Sequence, residues 1–372
     1  MKVALVHDYL VQYGGAERVF EVFTEMFPQA HVYTLVHDPE NMYGAFANTN
    51  VHTSFLQRIP FAKKHHRFFP PLMPMAAEDL DLSQYDLVIS SSSSYAKGVL
   101  TGPNTLHICY CHTPMRYAWD DCHRYFSEFQ YNKIVKALLP LAMNYIRMWD
   151  RLSADRVDVY VANSHNVKRR IRKYYQLDSE VVHPAVNVDR FKVLPDPQGD
   201  YYLALGRLLP YKHYDILIEA FRENGKQLRI VGAGPEEQRL KELAGDAHNI
   251  QFLGRLPDDE AQAMFMNCKA FLFPSEDDFG IVPVEAMSAG RPVIAFGRGG
   301  ALETVVEGVT GTFFTEQTKE SVKEAVDRFE TQTYDAQTIR VHAEKFAKDR
   351  FIQEMQAIID RELSSFMTTN QK

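Results

Sequence analysis

Nine short apolar runs recur along the chain, each followed by a polar or glycine-containing turn and then by apolar residues at helical spacing. Four lie in the first half: Val3 to Val6, Asp86 to Ile89, Leu106 to Tyr110 and Asp158 to Ala162. Five lie in the second: Tyr201 to Leu205, Leu228 to Val231, Ile250 to Leu253, Ala270 to Phe273 and Pro292 to Ala295. Strands that alternate with helical segments predict parallel sheets covered by helices. At 372 residues, and with about 150 per domain, two such sheets are expected, as two doubly wound α/β domains. Pro195, Pro197 and Gly199 interrupt the periodicity between Asp189 and Asp200, and Tyr201 starts a new strand, so the expected domains are residues 1–190 and 200–349. Open α/β sheets bind ligands beyond the carboxyl ends of their strands, so the two domains are expected to face each other across a cleft with one substrate on each side. The serine run Ser90 to Ser94 reads as a loop at a strand end, and no tandem repeat is visible.

Composition removes other classes. Hydrophobic residues make up 45% of the chain and charged residues 24%, which excludes a disordered polymer. The net charge of -7 argues against an overall electrostatic fit to nucleic acid. That charge is unevenly spread: Met1 to Arg190 holds 20 Lys and Arg against 19 Asp and Glu, while the remainder holds 21 against 29. Cys109, Cys111, Cys122 and Cys268 show no C-x-x-C spacing and read as reduced thiols. The run Val3 to Val6 is too short for a signal peptide, and no stretch of about 18 apolar residues is present, so the expected location is cytoplasmic.

Three segments carry the chemistry. Gly14 and Gly15 follow the first strand and open a helical pattern, where backbone N–H groups can approach a phosphate and the helix dipole favours the anion. Gly206, Arg207 and Lys212 follow the first strand of the second half, and an Arg with a Lys on one loop can neutralise a diphosphate with a fork and a point charge. The densest segment runs from Phe273 to Ile294: Asp277 and Glu285 lie eight apart, separated by Phe279, Gly280 and Ile281. Each carboxylate can accept hydrogen bonds from sugar hydroxyls, and the three amides can donate at a helix start.

This last segment resembles the E-x7-E region of family 4 of the retaining glycosyltransferases, enzymes of the GT-B fold, in which two Rossmann-like doubly wound domains face each other across a cleft. The Gly14–Gly15 loop, His112, Asn163 with Ser164, Val182 to Asp189, Gly206 with Arg207 and Lys212, Val231 to Pro235 and Phe252 to Gly254 follow in the order that family shows. Cys111 to Asp120 is similar to bacterial members that build O-antigens, capsules and exopolysaccharides, many of them mannosyltransferases. The resemblance implies that Glu285 holds the nucleotide ribose, that Arg207 and Lys212 bind the donor diphosphate, that His112 and Asp277 face the transferred sugar, and that Gly14 and Gly15 close on the phosphates. It adds Asn163, Gly232, Gly254 and the Phe279 to Ile281 amides to the donor-binding set. It also implies that a last helix, residues 350–372, crosses back onto the first domain; the apolar spacing of Phe351, Met355, Ile358, Ile359 and Leu363 is helical. One departure matters, since the family usually carries Glu where this chain has Asp277; the shorter acid reaches about 1.5 Å less far, and misplacements near 1 Å can cost about a hundredfold in rate.

Breaking a bond between sugar and phosphate leaves a nucleoside diphosphate whose charge needs a metal or fixed protein charges. A charge pair near 4 Å is worth about 4 kcal/mol at an effective dielectric of 20, so Arg207 and Lys212 with helix amides suffice without a metal or cofactor. Asp79 and Asp81 form a bare D-x-D in a turn-like stretch and are not assigned to a metal. In the family mechanism the departing phosphate oxygen takes the acceptor proton on the same face, and His112 stabilises rather than deprotonates.

Between Glu40 and Glu78 there is no acidic residue, while Arg58, Lys63, Lys64 and Arg67 are interleaved with Phe55, Leu56, Ile59, Phe61, Phe68, Phe69, Leu72 and Met73. Basic residues among exposed aromatics describe a surface for anionic lipid headgroups. Lys168, Arg169 and Arg170 read as a second basic face, and Lys136 to Met143 as either an addition to that surface or core. The expected function is transfer of a hexose, mannose from GDP-mannose, to a polyprenyl-linked or saccharide acceptor at the inner face of the plasma membrane. Alternatives are a UDP-sugar donor, a nucleotide-sugar epimerase, which would need no lipid-facing surface, and a non-catalytic membrane module, in which Glu285 and Arg207 would be dispensable. A dinucleotide-dependent oxidoreductase would require G-x-G-x-x-G after the first strand, which neither Gly14–Gly15 nor Gly232-x-Gly234 completes.

Overall fold

All nine apolar runs form strands, because β-branched and aromatic side chains pack well on pleated surfaces buried on both faces. The computed structural model describes residues 1–61, 63, 69–120, 122, 133–194 and 199–370. It divides into two units, Met1–His183 with Phe351–Lys372, and Pro184–Arg350.

The first unit holds β1 (Val3–His7), β2 (His31–Thr34), β3 (Val51–Thr53), β4 (Leu87–Ser92), β5 (Leu106–Cys111), β6 (Val159–Ala162) and β7 (Glu180–Val181) in the parallel order β3-β2-β1-β4-β5-β6-β7. The second holds β8 (Tyr202–Leu205), β9 (Leu228–Val231), β10 (Ile250–Gly254), β11 (Ala270–Phe273), β12 (Val293–Phe296) and β13 (Gly311–Phe314) in the order β10-β9-β8-β11-β12-β13. Each sheet reverses its winding beside its own first strand, between β1 and β4 and between β8 and β11. Such a switch point is where open α/β sheets leave a crevice for ligand.

Four strands carry no apolar run of their own. β3 and β7 are short edge strands, while β2 and β13 mix Thr, His or Gly with their apolar residues. The serine run departs from expectation more sharply. Ser90, Ser91 and Ser92 lie inside β4 rather than in a loop and are fully buried. Their hydroxyls find partners there: Ser90 with His107 at 2.8 Å, Ser91 with both His7 and His112, and Ser92 with the Lys97 amide at 3.3 Å.

The unit boundary also falls earlier than Asp189. Val186 donates its amide to Phe346 at 2.9 Å, and Arg340 donates to the carbonyls of Val188, Phe191 and Ser288 at 2.5 to 3.2 Å, so residues 184–191 are tied into the second unit. Pro195 and Pro197 lie outside the described residues. The last helix, Lys348–Asn370, buries Phe351, Met355, Ile358 and Ile359. The ring of Phe351 meets Phe23 and Tyr110 of the first unit, each at 5.4 Å.

One buried charge braces the first unit. The Lys97 ammonium, 2% exposed, contacts the Asp150 carboxylate at 2.9 Å, the Asp150 carbonyl at 2.9 Å and the Ser153 hydroxyl at 2.8 Å. Trp119 and Tyr175 donate to the same carboxylate, at 2.7 Å and 3.0 Å.

Candidate active site

In the second unit, the loops after β8, β9 and β10 are laced backbone to backbone. Gly206 donates to Val231 at 3.0 Å, Leu208 to Ala233 at 3.1 Å, and Gly232 to Gly254 at 2.7 Å. Gly232 has φ +136° and a Cβ there would lie 1.9 Å from the Gly206 carbonyl, so only glycine lets the two loops touch. Arg207 follows, exposed, and Lys212 closes the 3-10 turn Pro210–Lys212.

Lys212 meets the residues after β11. Its ammonium lies 2.5 Å from Asp277 Oδ2 and 3.5 Å from Ser275 Oγ, above the rings of Tyr211 and Phe273 at 5.2 and 5.7 Å. The other oxygen, Asp277 Oδ1, is buried and has no hydrogen-bond partner among the described residues. A buried acceptor without a donor is costly unless a ligand supplies one. Behind the pair, Tyr214 is pushed well above the ordinary tyrosine value by burial and by the Asp277 carboxylate. The loop Gly297 to Gly300 holds Asp277 from the other side: Gly300 donates to the Asp277 carbonyl at 2.9 Å, and a Cβ on Gly299 would lie 2.4 Å from the same oxygen. Gly280 caps the helix Ile281–Ser288, and Glu285 stands half-buried on its second turn. The structure therefore joins Lys212 directly to Asp277 despite the shorter acid, and places Arg207, Phe279 to Ile281 and Glu285 on the loops and helix around β8 and β11.

In the first unit, Gly14 caps the helix Gly15–Met26, and its amide donates to Glu17 Oε2 at 2.9 Å. Glu17 Oε1 lies 3.6 Å from His7 Nε2, His7 Nδ1 3.1 Å from Ser91 Oγ, and Ser91 Oγ 2.8 Å from His112 Nε2. Asn163 is buried beside the end of β5, its amide donating to the Cys111 carbonyl at 3.2 Å and its side-chain oxygen accepting from Ser164 at 2.9 Å. His7, Glu17, Ser91 and Ser275 were not among the site residues expected from the sequence. Glu17 had a visible signal, since it stands three residues after its N-cap as in a capping box. The paired Gly299 and Gly300 before a helix were likewise a legible turn.

Burial pushes His112 down to about 3, aided by His7, and pushes His107 down to about 4. Both rings are neutral when folded and titrate near 6.5 when unfolded, so the unfolded chain binds more protons below that pH. Their contribution is complete above pH 6.5 and is lost as pH falls toward 4, on the order of 3 kcal/mol for each ring by linkage. Urea unfolding at pH 7 and pH 4.5 should show a marked drop in stability at the lower pH; equal stability contradicts this.

The basic surfaces need correction. Arg58 and Lys63 are exposed, but Lys64 and Arg67 lie outside the described residues, as does Phe68. Leu56 and Met73 are core, and Phe55, Ile59, Phe69 and Leu72 pack against it with Trp149, because the chain after β3 folds its apolar side inward; Phe61 alone of the described set stays fully exposed. On the helix His165–Tyr174, Lys168 pairs with Asp178 at 3.4 Å and Arg169 bonds Asn166 at 3.0 Å. Arg170 turns inward to Asp120, Thr113 and the Pro114 carbonyl, so it braces the loop after His112 instead of facing solvent. Asp79 and Asp81 serve local structure, accepting from the amides of Phe55 and Ser83, each at 3.1 Å.

Residues 13–190 match the family model described as Glycosyltransferase Family 4, and residues 186–348 the one described as Glycosyl transferases group 1. The chain belongs to glycosyltransferase family 4, with the two Rossmann-like domains of the GT-B fold. It is 32% identical over 205 residues to a GDP-mannose-dependent alpha-(1-6)-phosphatidylinositol monomannoside mannosyltransferase of Mycolicibacterium smegmatis, covering 47% of this chain and 53% of the relative. It is 23% identical over 263 residues to the alpha-1,3/1,6-mannosyltransferase ALG2 of Dictyostelium discoideum, covering 59% and 62%. The matches thus span little more than half the length of these curated relatives. Among solved structures, Anabaena HepE in complex with UDP is similar at a TM-score of 0.72 and 18% identity, covering 97% of this chain and 100% of that one.

Proposed function

We propose that this protein is a retaining glycosyltransferase that moves mannose from GDP-mannose to a polyprenyl-linked or saccharide acceptor in bacterial surface polysaccharide synthesis. The observation that carries this reading is the Lys212–Asp277 pair at the β8–β11 switch point, with Asp277 Oδ1 buried and open to a donor such as a sugar hydroxyl. Arg207 and Lys212 take the diphosphate, Glu285 the ribose and the Phe279 to Ile281 amides the sugar or phosphate. The mycobacterial relative's own donor is GDP-mannose, which favours that nucleotide over UDP. In the reaction the bond from C1 of the sugar to the phosphate oxygen breaks, a bond from C1 to the acceptor oxygen forms on the same face, and the acceptor proton passes to the departing phosphate. Fixed cations stabilise that leaving group, so no metal is invoked and chelator should leave turnover intact. Incubation with GDP-mannose and a mannoside acceptor should give an α-mannoside by NMR; a β-product overturns retention, and a product from UDP-sugars alone overturns the donor.

We further propose that the first unit meets an anionic membrane. No helix among the described residues is long and apolar enough to cross one. The helix Lys133–Ala154 exposes Leu141, Tyr145, Met148 and Leu152, spaced so that they form one stripe, and Arg58 and Lys63 are exposed elsewhere in the unit. Replacing Leu141 and Met148 by Asp should reduce sedimentation with anionic vesicles at least about tenfold, since each change trades apolar burial for a charge. Undiminished sedimentation rejects the stripe as the contact.

A further inference from the structure

His7, Glu17 and Ser91 have no role in the chemistry proposed above, yet they and His112 are all at least nine-tenths buried and form one polar line. The line begins at the glycine cap, where Gly14 donates to Glu17 Oε2, and passes from Glu17 Oε1 to His7, from His7 to Ser91 Oγ, and from Ser91 Oγ to His112 Nε2. The fold aligns it. His7 and Ser91 are register partners in the parallel pair β1–β4, 84 residues apart in sequence, and His7 stacks on Phe20 at 4.7 Å, which fixes its ring plane.

A carboxylate only accepts, a hydroxyl donates one proton, and a neutral imidazole donates from one nitrogen and accepts at the other. These rules set the direction of both Ser91 bonds once the proton on His7 is placed, and the nearby Glu17 charge places it. The Glu17 carboxylate, 3.6 Å from His7 Nε2, favours the proton on that nitrogen, which leaves Nδ1 as an acceptor. Ser91 then donates to His7 Nδ1, and its oxygen accepts from His112 Nε2–H. His112, neutral because burial suppresses its charged form, is left with a lone pair on Nδ1. We infer that Glu17 and Ser91 are positioning residues that hold His112 in the Nε2–H tautomer, so that Nδ1 accepts a hydrogen bond from a hydroxyl of the transferred sugar. The inference rests on the reading of His112 as a sugar-facing residue.

Glu17→Gln tests it with almost no change of shape. The Gly14 amide still needs an acceptor, so the carbonyl of the new side-chain amide takes that place and its NH2 faces His7. His7 Nε2 must then accept, Nδ1 must donate to Ser91, and Ser91 must donate to His112 Nε2. The proton on His112 moves to Nδ1, and an acceptor becomes a donor. Two-bond 1H–15N correlation spectra of the labelled imidazoles, with His112 assigned by His112→Gln, read this tautomer directly and need no substrate. The expected result is Nε2–H in the wild type and Nδ1–H in Glu17→Gln. In the Ser91→Ala background the link is cut, and Glu17→Gln should no longer change the His112 signals. In turnover, Glu17→Gln should lower kcat about tenfold or more while donor KM stays within about twofold, as for other residues that orient an imidazole. An unchanged His112 tautomer, or unchanged kcat with an inverted tautomer, overturns the inference. Full turnover in His112→Ala overturns instead the reading of the site on which it rests, and the tautomer spectra tell the two failures apart.

Discussion

Lys212→Ala should lower turnover of the nucleotide-sugar donor by about a hundred- to a thousandfold in kcat, the cost of deleting one fixed group that faces developing negative charge. Two effects act together. In the proposed reaction the leaving diphosphate would lose a cation held in a half-buried site, where a charge interaction is several times stronger than in water. Asp277, stripped of the ammonium that lies 2.5 Å away, also turns a bare carboxylate toward an anionic donor. Lys212→Arg should recover only part of the loss, because a planar fork does not occupy the position of a compact ammonium above the Tyr211 and Phe273 rings. Asp277→Asn in the Lys212→Ala background should recover part of it too, by removing the repulsion. Single-turnover rates of the three variants check this, and full activity in Lys212→Ala contradicts it.

Lys97→Met should be the most destabilising of the substitutions considered. Burying a charge is tolerated only when it is paired and saturated with hydrogen bonds, and Lys97 has the Asp150 carboxylate, the Asp150 carbonyl and Ser153. Met fills the same space but leaves Asp150 charged, fully buried and held, among the described residues, by the Trp119 and Tyr175 donors alone. Breaking one side of such a pair costs about 3–5 kcal/mol, which corresponds to a fall in Tm of roughly 10 °C for a domain of this size. Replacing Lys97 by Met and Asp150 by Leu together should recover much of that loss, since an apolar pair of similar volume avoids the unpaired charge. Only the Asp150→Leu change reaches the site: Trp119 donates to Asp150 and stacks on Tyr174 at 4.8 Å, so in the double variant the loop that begins at His112 loses that anchor. Calorimetric melting of the single and double variants separates the pair from simple packing; equal melting of Lys97→Met and wild type contradicts this account.

The sequence made the winding of both sheets readable because buried parallel strands are continuous apolar runs, as in Leu228 to Val231 and Ala270 to Phe273. It hid β3 and β7 because edge strands are short and partly wet. It misdirected at Ser90 to Ser92, where small hydroxyl residues usually mark turns but here form the last three residues of β4, with Ser90 and Ser91 bonded to His107 of β5 and His7 of β1. Local motifs located Gly14, Gly206, Lys212 and the Asp277 loop, since each sits where a strand ends and a helix begins. Pairings across the fold were beyond it: Lys212 with Asp277, His7 with Ser91 and Lys97 with Asp150 join segments 65, 84 and 53 residues apart. The inward turn of Arg170 is of the same kind, because a run of basic residues on a helix does not say which of them meets Asp120.

The proposed reactions all require that this chain act on a nucleotide sugar through the residues around β8 and β11. A panel of GDP-, UDP- and ADP-sugars, scored for thermal stabilisation and slow hydrolysis in wild type and Lys212→Ala, tests it most directly. GDP-mannose should stabilise the wild type and be slowly hydrolysed by it, and Lys212→Ala should lose both responses. No response of the wild type to any nucleotide sugar contradicts it.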